Sequence, residues 1–290
     1  MCSTAGSRPP RASRVRGGSA TWWRHLPAVV LATLFLLPLW FLLSGSLRRP
    51  GLPPPVAPEL FPSDPSVESY RRAFDLVDLD RQLLNSLFVV AVAVPLTVVF
   101  ASWAGFAMSR VSRRAAGRLV AVSLVALMVP ATALIVSRFA IFRTLRVTDT
   151  WIPLVVPSLM GTSPFYVLLY YWSFRRLPGE LFEACRLEGM SPFEQWRRVA
   201  MPLVRPVTVA VGVLAFVFTW SNFLDPLIYV FDRRLYTLPL GLRSLALLDP
   251  GNHPMLLAGA VVATVPVVIA FVSVQRLFLA EHRRRGWFGG

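Results

Sequence analysis

Six long apolar segments limit what this chain can fold into. Each is close to the roughly 17–25 residues that a helix needs to cross a hydrocarbon core about 30 Å thick. Backbone polar groups in lipid must be satisfied internally, so segments of this kind form helices. We therefore predict an all-α, polytopic membrane protein with six transmembrane helices, of which the proline-rich fourth is expected to be irregular. The predicted spans lie near Leu26–Ser44, Leu83–Ser109, Leu119–Ser137, Trp151–Phe174, Pro206–Phe231 and Met255–Val274.

The distribution of arginine predicts the orientation of these spans. All 30 basic residues are arginine, and the net charge is +15. With both termini in the cytoplasm, the cytoplasmic segments hold 19 arginines and the external loops hold 11. Cytoplasmic loops are the more basic ones in membrane proteins, so we predict that both termini are cytoplasmic. Because the arginines are spread over short loops instead of lining one face, we expect no nucleic acid as a partner. The basic segment Arg283–Arg285 is expected to contact anionic membrane lipid.

The chain is predicted to divide into three parts. Residues 1–25 are expected to form a disordered cytosolic tail. Residues 26–82 hold the first span and an external connector, which has a proline run and, from 67 to 81, a short amphipathic helix. Residues 83–290 hold the other five spans and a cytosolic loop at 175–205. The first span could instead be a cleaved signal peptide, but its apolar run of about 19 residues exceeds the usual h-region of roughly 7–15.

The cytosolic loop carries its own folding signals. Gly189 stands where a helix over residues 179–188 needs a left-handed residue after its end. Ser191 is placed to cap a second helix, with Pro192 at its first position and Glu194 completing a capping box. The sequence thus predicts a helix, a sharp turn and a second helix that ends before Pro202. A short helix with exposed apolar side chains suits docking into a groove of another protein.

The same loop resembles the EAA loop of ABC importer permeases, which reads E-A-A, three residues, Gly, nine residues and I-x-L-P. The matching positions are Glu183, Ala184, Gly189 and Pro202, with Cys185, Val199 and Met201 as small or apolar replacements. By this resemblance the loop couples the membrane spans to an ATPase. A loop packed only on its own bundle is the alternative that spacing alone leaves open.

A second group of residues is a candidate for the solute path. Asp225 is the one acid inside a predicted span, and ionisable groups in membranes are costly and usually functional. Trp220, Ser221 and Asn222 precede it and form a polar and aromatic cluster of the kind that binds sugars. Asp225 either faces the solute, or is wetted at the outer mouth or paired with a nearby arginine.

Several segments beyond residue 85 are similar to maltose-type carbohydrate permease subunits. They are Asn85-Ser86-Leu87, Met128-Val129-Pro130, residues 236–242 and Ala258-Gly259-Ala260. The chain departs from this group in the fifth span, where W-N-D/E-F is usual and Trp220-Ser221-Asn222-Phe223 stands here. That departure weakens the transfer of sugar contacts to these positions.

The resemblance implies a permease subunit of an ATP-driven, binding-protein-dependent importer in a prokaryotic cell membrane, with a carbohydrate as the expected solute. Its implied partners are a second permease subunit, two ATPase subunits and an extracytoplasmic solute-binding protein. We expect no enzymatic activity, because the sequence has no phosphate-binding loop and no catalytic set. No cofactor or metal is expected from three scattered histidines and two cysteines.

Two other functions remain open at this stage. An ABC importer for a non-sugar solute would share the EAA loop. An ion-coupled secondary transporter would need several intramembrane ionisable residues and an internal repeat, whereas this chain offers one acid and no visible repeat.

Overall fold

The computed structural model describes residues 22–57, 59–160 and 163–285, and the regular structure in these ranges is entirely helical. The all-α prediction is therefore confirmed. The predicted tail at 1–25 lies outside the described residues except for its last four, which are helical and belong to α1. The helices are α1 (Trp22–Ser46), α2 (Glu68–Val77), α3 (Leu79–Arg110), α4 (Arg113–Met128), α5 (Ile135–Thr144), α6 (Ile152–Leu159), α7 (Pro164–Arg175), α8 (Gly179–Leu187), α9 (Pro192–Leu203), α10 (Arg205–Trp220), α11 (Leu224–Tyr229), α12 (Leu238–Leu248) and α13 (His253–Arg285).

Four segments are long and apolar enough to cross a membrane. They lie in α1, α3, α6 with α7, and α13. Two further pairs meet the same criteria only together, because each is sharply bent. The helices α4 and α5 bend by 82° and the helices α9 and α10 by 87°. The described residues therefore hold four candidate spans, or six if each bent pair is one span.

The third span, predicted near Leu119–Ser137, is broken into two helices at Pro130. Helix α4 ends at Met128, and Val129 and Pro130 are both extended. A proline disfavours the helical conformation of the residue before it and donates no backbone hydrogen bond itself. After Pro130, the 3₁₀ turn Ala131–Leu134 leads into α5 in a new direction.

The fifth span is also shorter than the predicted Pro206–Phe231. Helix α10 ends at Trp220, the chain unwinds over 221–223, and the short helix α11 follows. The expected irregularity of the fourth span is confirmed, since it consists of α6 and α7. Ser163 caps α7 by accepting a hydrogen bond from the backbone N–H of Phe165.

The external connector forms the predicted amphipathic helix in a shorter version. Helix α2 ends at Val77, four residues before the expected end, because Asp78 adopts a left-handed conformation with φ 49°. The spanning helix α3 then begins directly at Leu79.

Helix α3 is the central helix, packed by α6, α7 and α10. Ala101, Gly105 and Ser109 are buried at four-residue intervals along it. A Cβ atom on Gly105 would lie 2.6 Å from Cβ of Tyr170 and 2.8 Å from the carbonyl oxygen of Val167. Small residues with this spacing let membrane helices approach closely, so Gly105 sets the distance between α3 and α7.

Two segments that resemble the sugar permeases bind each other across more than 140 residues of sequence. The side-chain amide of Asn85 donates to the carbonyl oxygens of Arg234 and Tyr236, both at 2.9 Å. The hydroxyl of Ser86 accepts a hydrogen bond from the backbone N–H of Leu238 at 2.7 Å. Both polar side chains are buried, and they fix the segment before α12 onto α3.

Candidate functional site

The first half of the EAA-like loop, defined as residues 179–203, ends in the turn that the sequence predicts. Gly189 has φ +76°, the left-handed region that favours glycine. Its N–H donates to the carbonyl of Arg186, and the N–H of Met190 donates to the carbonyl of Cys185, both at 3.0 Å. This pair of bonds is a Schellman motif, so the predicted turn at Gly189 is confirmed.

The second half begins with the predicted capping box. The hydroxyl of Ser191 accepts from the backbone N–H of Glu194, and the Glu194 carboxylate accepts from the backbone N–H of Ser191. The hydrogen bond from the Ser191 backbone, and to a smaller extent the one from its hydroxyl, lowers the pKa of the Glu194 carboxyl below its usual value. Glu194 is therefore ionised at neutral pH and keeps the start of α9 fixed.

The prediction that the second helix ends before Pro202 was wrong. Helix α9 continues through Pro202 to Leu203 by way of a π-helical turn over 195–200. Within that turn the N–H of Met201 donates to the carbonyl of Trp196, five residues back. The wider turn moves the preceding carbonyls away from the proline ring, which would otherwise clash with the carbonyl four residues before it.

The helix α8 has two opposite faces. Phe182 and Cys185 are buried, so Cys185 is a small packing residue on the inner face. The outer face consists of side chains at positions i, i+3, i+4 and i+7, namely Glu180, Glu183, Ala184 and Leu187, all exposed. Leu187 is 91% exposed. An apolar side chain beside two carboxylates on a free helix face suits a protein groove that offers basic and apolar groups.

Phe182 joins this helix to the central helix α3. Its fully buried ring lies 5.8 Å from the ring of Phe106, and the guanidinium of Arg110 lies 4.0 Å above it. In the second half of the loop, Trp196 stacks on Trp103 of α3 with ring centroids 6.1 Å apart. Both helices of the loop therefore pack against α3, so a displacement of the loop would also displace that span.

A cavity of about 390 Å³ opens where the third and fifth spans break. Its wall is formed by Ala131, Thr132, Ile135, Arg138, Phe218, Ser221, Asn222, Phe223, Leu224 and Asp225. Three of the four residues predicted for a solute path, Ser221, Asn222 and Asp225, thus lie together. Trp220 does not line this cavity. Its buried indole donates to the carbonyl of Ala263 on α13 at 3.1 Å.

Asp225 both lines the cavity and pairs with an arginine, two placements that the sequence left as alternatives. Its Oδ1 lies 3.3 Å from Nη1 of Arg138 on α5. Its Oδ2 accepts a hydrogen bond of 2.9 Å from the side-chain amide of Asn222. The carbonyl oxygen of that amide accepts from the backbone N–H of Asp225 at 3.2 Å, so Asn222 holds the first turn of α11 and orients the carboxylate.

Asp149 fixes the end of α11, a role that the sequence did not reveal. Its carboxylate accepts hydrogen bonds from the backbone N–H groups of Phe231 and Asp232, at 2.9 and 2.7 Å. Its own N–H donates to the carbonyl of Tyr229 at 2.7 Å. Asp149 adopts φ +59°, a left-handed conformation in which Asp occurs more often than most residues other than glycine. These bonds tie the chain after α5 to the end of α11.

A family model described as "Binding-protein-dependent transport system inner membrane component" matches residues 81–283. The chain is 30% identical over 196 residues to the arabinooligosaccharides transport system permease protein AraQ of Halalkalibacterium halodurans, covering 68% of this chain and 70% of that protein. It is 27% identical to the trehalose transport system permease protein SugB of Mycobacterium tuberculosis, covering 90% of this chain and 95% of that protein.

The fold is also similar to that of a solved transporter chain. A chain in the crystal structure of a bacterial ABC transporter involved in the import of the acidic polysaccharide alginate superposes with a TM-score of 0.68. The match covers 93% of this chain and 100% of that chain at 20% sequence identity. The arrangement of helices around α3 is thus an architecture already seen in an ABC transporter.

Proposed function

Since the chain belongs to the family of binding-protein-dependent transport system inner membrane components, we propose that it forms half of the membrane pathway of an ATP-driven carbohydrate importer. The observation that carries the proposal is the EAA-like loop, whose outer face is exposed while its inner face is anchored on the central span. The relatives named for arabinooligosaccharide and trehalose transport support a carbohydrate as solute. A non-sugar solute is the alternative within the same family.

The proposed partners follow from the exposed outer face of the loop and from a sequence without a phosphate-binding loop. Two ATPase subunits would dock on this loop and its counterpart in a second permease subunit, and an extracytoplasmic binding protein would deliver the solute. Glu183 on the outer face of α8 would accept hydrogen bonds or charge pairs from the ATPase groove. The loop transmits a coupling free energy from ATP to the spans and carries out no chemistry itself.

Transmission would run through the buried side of the loop. ATP-driven closure moves the outer face of α8, and Phe182 passes that movement to α3 through Phe106 and Arg110. Because α3 also packs on α7 and α10, the bundle shifts as a unit. Such rigid-body motion would switch the cavity at the two broken spans between outward and inward access.

This function is tested most directly by comparing the activity of the isolated chain with the composition of its native complex. Purified and reconstituted alone, it should show no ATP hydrolysis and no concentrative sugar uptake. Purified from its native membrane by an affinity tag, it should bring down an ATPase and a second permease. Concentrative uptake by the isolated chain, or a native complex without an ATPase, would contradict the proposal.

The proposed topology has six spans with both termini in the cytoplasm of a prokaryotic cell. In it α4 with α5 forms the third span and α10 with α11 the fifth, while α9 belongs to the cytosolic loop. On that count residues 1–25 are a cytosolic tail, residues 26–82 hold the first span and the connector, and residues 83–290 are the permease core. The unequal arginine content of the two sets of loops supports this orientation.

A labelling experiment checks this topology. In a chain with Cys2→Ser and Cys185→Ala, Glu188→Cys should react with a membrane-impermeant thiol reagent only from the cytosolic side. Gly251→Cys should react only from outside. Both sites are exposed, so accessibility is limited by the membrane rather than by packing. The reverse pattern would overturn both the orientation and the docking of an ATPase at the loop.

The turn at Gly189 gives a prediction about coupling. Gly189→Val should cost about 1 kcal/mol or more locally, because a branched side chain disfavours positive φ. A Cβ there meets no atom within 4 Å, so strain in the turn is the whole effect. We expect a folded, inserted complex whose ATP hydrolysis no longer responds to solute.

Gly179→Val is the matched control for this substitution. Gly179 also has open space around it, but it lies at the start of α8 and its φ is not in the left-handed region. This variant should keep solute-stimulated ATP hydrolysis. Transport at the wild-type rate by Gly189→Val would show that the left-handed turn is not needed.

A further inference from the structure

The wall of the cavity contains one positive and one negative side chain. Arg138 and Asp225 are the two charged residues among those that line it, and they lie on opposite sides of the gap between α5 and α11. Their side chains are only 26% and 16% exposed. At 3.3 Å, and partly shielded from water, the two charges cancel, so the wall is electrically neutral.

The carboxylate in this pair has little capacity left for a solute. One oxygen of Asp225 faces Arg138 and the other accepts from the Asn222 amide. The guanidinium of Arg138 is closed in the same way, because Nη1 faces Asp225 and its Nη2 atom is buried out of reach of a solute. The face of its guanidinium is covered by the ring of Tyr229, 5.5 Å from Cζ. The ion pair thus adds no net charge to the cavity wall and keeps both charged groups occupied.

From this arrangement we propose that the Arg138–Asp225 pair makes the cavity selective for uncharged, hydroxyl-rich solutes and disfavours anionic ones. The inference rests on the proposed import of carbohydrate and names the class of carbohydrate. A solute hydroxyl can hydrogen-bond the uncharged polar side chains of the same wall, those of Ser221 and Asn222. An anionic sugar would instead lose its hydration in a neutral wall without gaining a counter-charge.

The pair also explains what a single substitution would do to selectivity. Asp225→Asn would leave Arg138 as an unpaired cation, which attracts carboxylates. The wall would then prefer acidic sugars. Arg138→Gln would leave the carboxylate of Asp225 unpaired and give the opposite charge. The double variant is neutral again, and its two amides can still hydrogen-bond each other.

Charged thiol reagents measure the charge of this wall without knowledge of the solute. Ser221 is exposed, lines the cavity and differs from cysteine by one atom. In the Cys2→Ser, Cys185→Ala chain, Ser221→Cys would be labelled in the detergent-purified transporter complex. The reagents are the anionic sulfonatoethyl and the cationic trimethylammonioethyl methanethiosulfonates. The quantity of interest is the ratio of the anionic to the cationic labelling rate.

We expect Asp225→Asn to raise this ratio on the order of tenfold, since a charge a few ångströms away acts in opposite senses on the two reagents. Arg138→Gln should lower the ratio by a similar factor, and the double variant should return it close to the parent value. Asp75→Asn is the control, because it removes an acid from the exposed surface of α2, away from the cavity.

Protection experiments connect the charge to the solute. Trehalose, maltotriose and arabinotriose should slow labelling of Ser221→Cys by the neutral methyl methanethiosulfonate, and digalacturonate should not. After Asp225→Asn, digalacturonate should protect. An unchanged reagent ratio in Asp225→Asn, with protection by neutral sugars intact, overturns this inference alone. Protection by none of the sugars in any variant contradicts carbohydrate passage through this cavity as well.

Discussion

Replacing Phe182 with alanine is expected to lower the free energy of unfolding by about 3–5 kcal/mol, the usual cost of removing a buried phenylalanine ring. The ring is fully buried, and its loss leaves a void beside Phe106 and removes the surface on which Arg110 stacks. Helix α8 would then lose its main anchor on α3. In the protein that still folds, solute should no longer stimulate ATP hydrolysis. Thermal unfolding of the purified complex and ATPase assays in proteoliposomes measure the two effects.

Leu187→Ala is the matched control, since it truncates an apolar side chain on the opposite face of the same helix. At 91% exposure, Leu187 stabilises the isolated chain little, so its unfolding should change by no more than about 0.5 kcal/mol. The same change should weaken ATPase docking, because the side chain belongs to the free outer face. If Phe182→Ala left both unfolding and coupling as in the parent protein, the path from the loop through Phe182 to α3 would be wrong.

Gly105→Val should separate the two most closely packed spans. Even the first added carbon would lie 2.6 Å from Cβ of Tyr170, and it would also approach backbone atoms of α7 within 3 Å. Backbone cannot rotate away as a side chain can, so the helices must move apart. We expect a loss of stability at or above the upper end of the roughly 1–3 kcal/mol typical of overpacking. The measurement is the unfolding midpoint of the purified complex, together with its yield from the membrane.

Gly117→Ala provides the comparison for an added methyl group. A Cβ on Gly117 meets nothing within 4 Å, and this residue lies inside α4. Alanine should be neutral there or stabilise the helix by up to about 1 kcal/mol. Equal stability of the Gly105 and Gly117 variants would show that α3 and α7 do not need a glycine at their contact.

The features that the sequence predicted well are those encoded within a few residues. Gly189, Ser191 and Glu194 act through bonds that span three to five positions, so their pattern alone fixes the Schellman turn and the capping box. The apolar length of a span is likewise a local property. The π-helical turn before Pro202 was missed because it resolves a conflict between proline and a helix that tertiary packing maintains.

The features that the sequence did not predict depend on residues far apart in the chain. Pro130 lies within a predicted span, because prolines are tolerated in membrane helices, often at kinks, when neighbours satisfy the freed groups. Whether such a site becomes an 82° bend depends on what packs around it. The indole of Trp220 points toward α13 because it donates a hydrogen bond to the carbonyl of Ala263. The ion-pair partner of Asp225, Arg138, lies 87 residues earlier on α5. Composition shows that such groups need partners but does not identify them.

The hydrogen bonds of Asn85 and Ser86 have a consequence for how the protein is made. Their partners lie about 150 residues later in the chain, in the segment 234–238. At roughly 5–20 residues per second, the ribosome needs about 8–30 s to produce that segment. During this time α3 is present with two polar side chains that lack their final acceptors and donor. Helix α3 therefore enters the membrane before these hydrogen bonds can form. Asn85 and Ser86 must stay near water or another polar surface until the last third of the chain has been made.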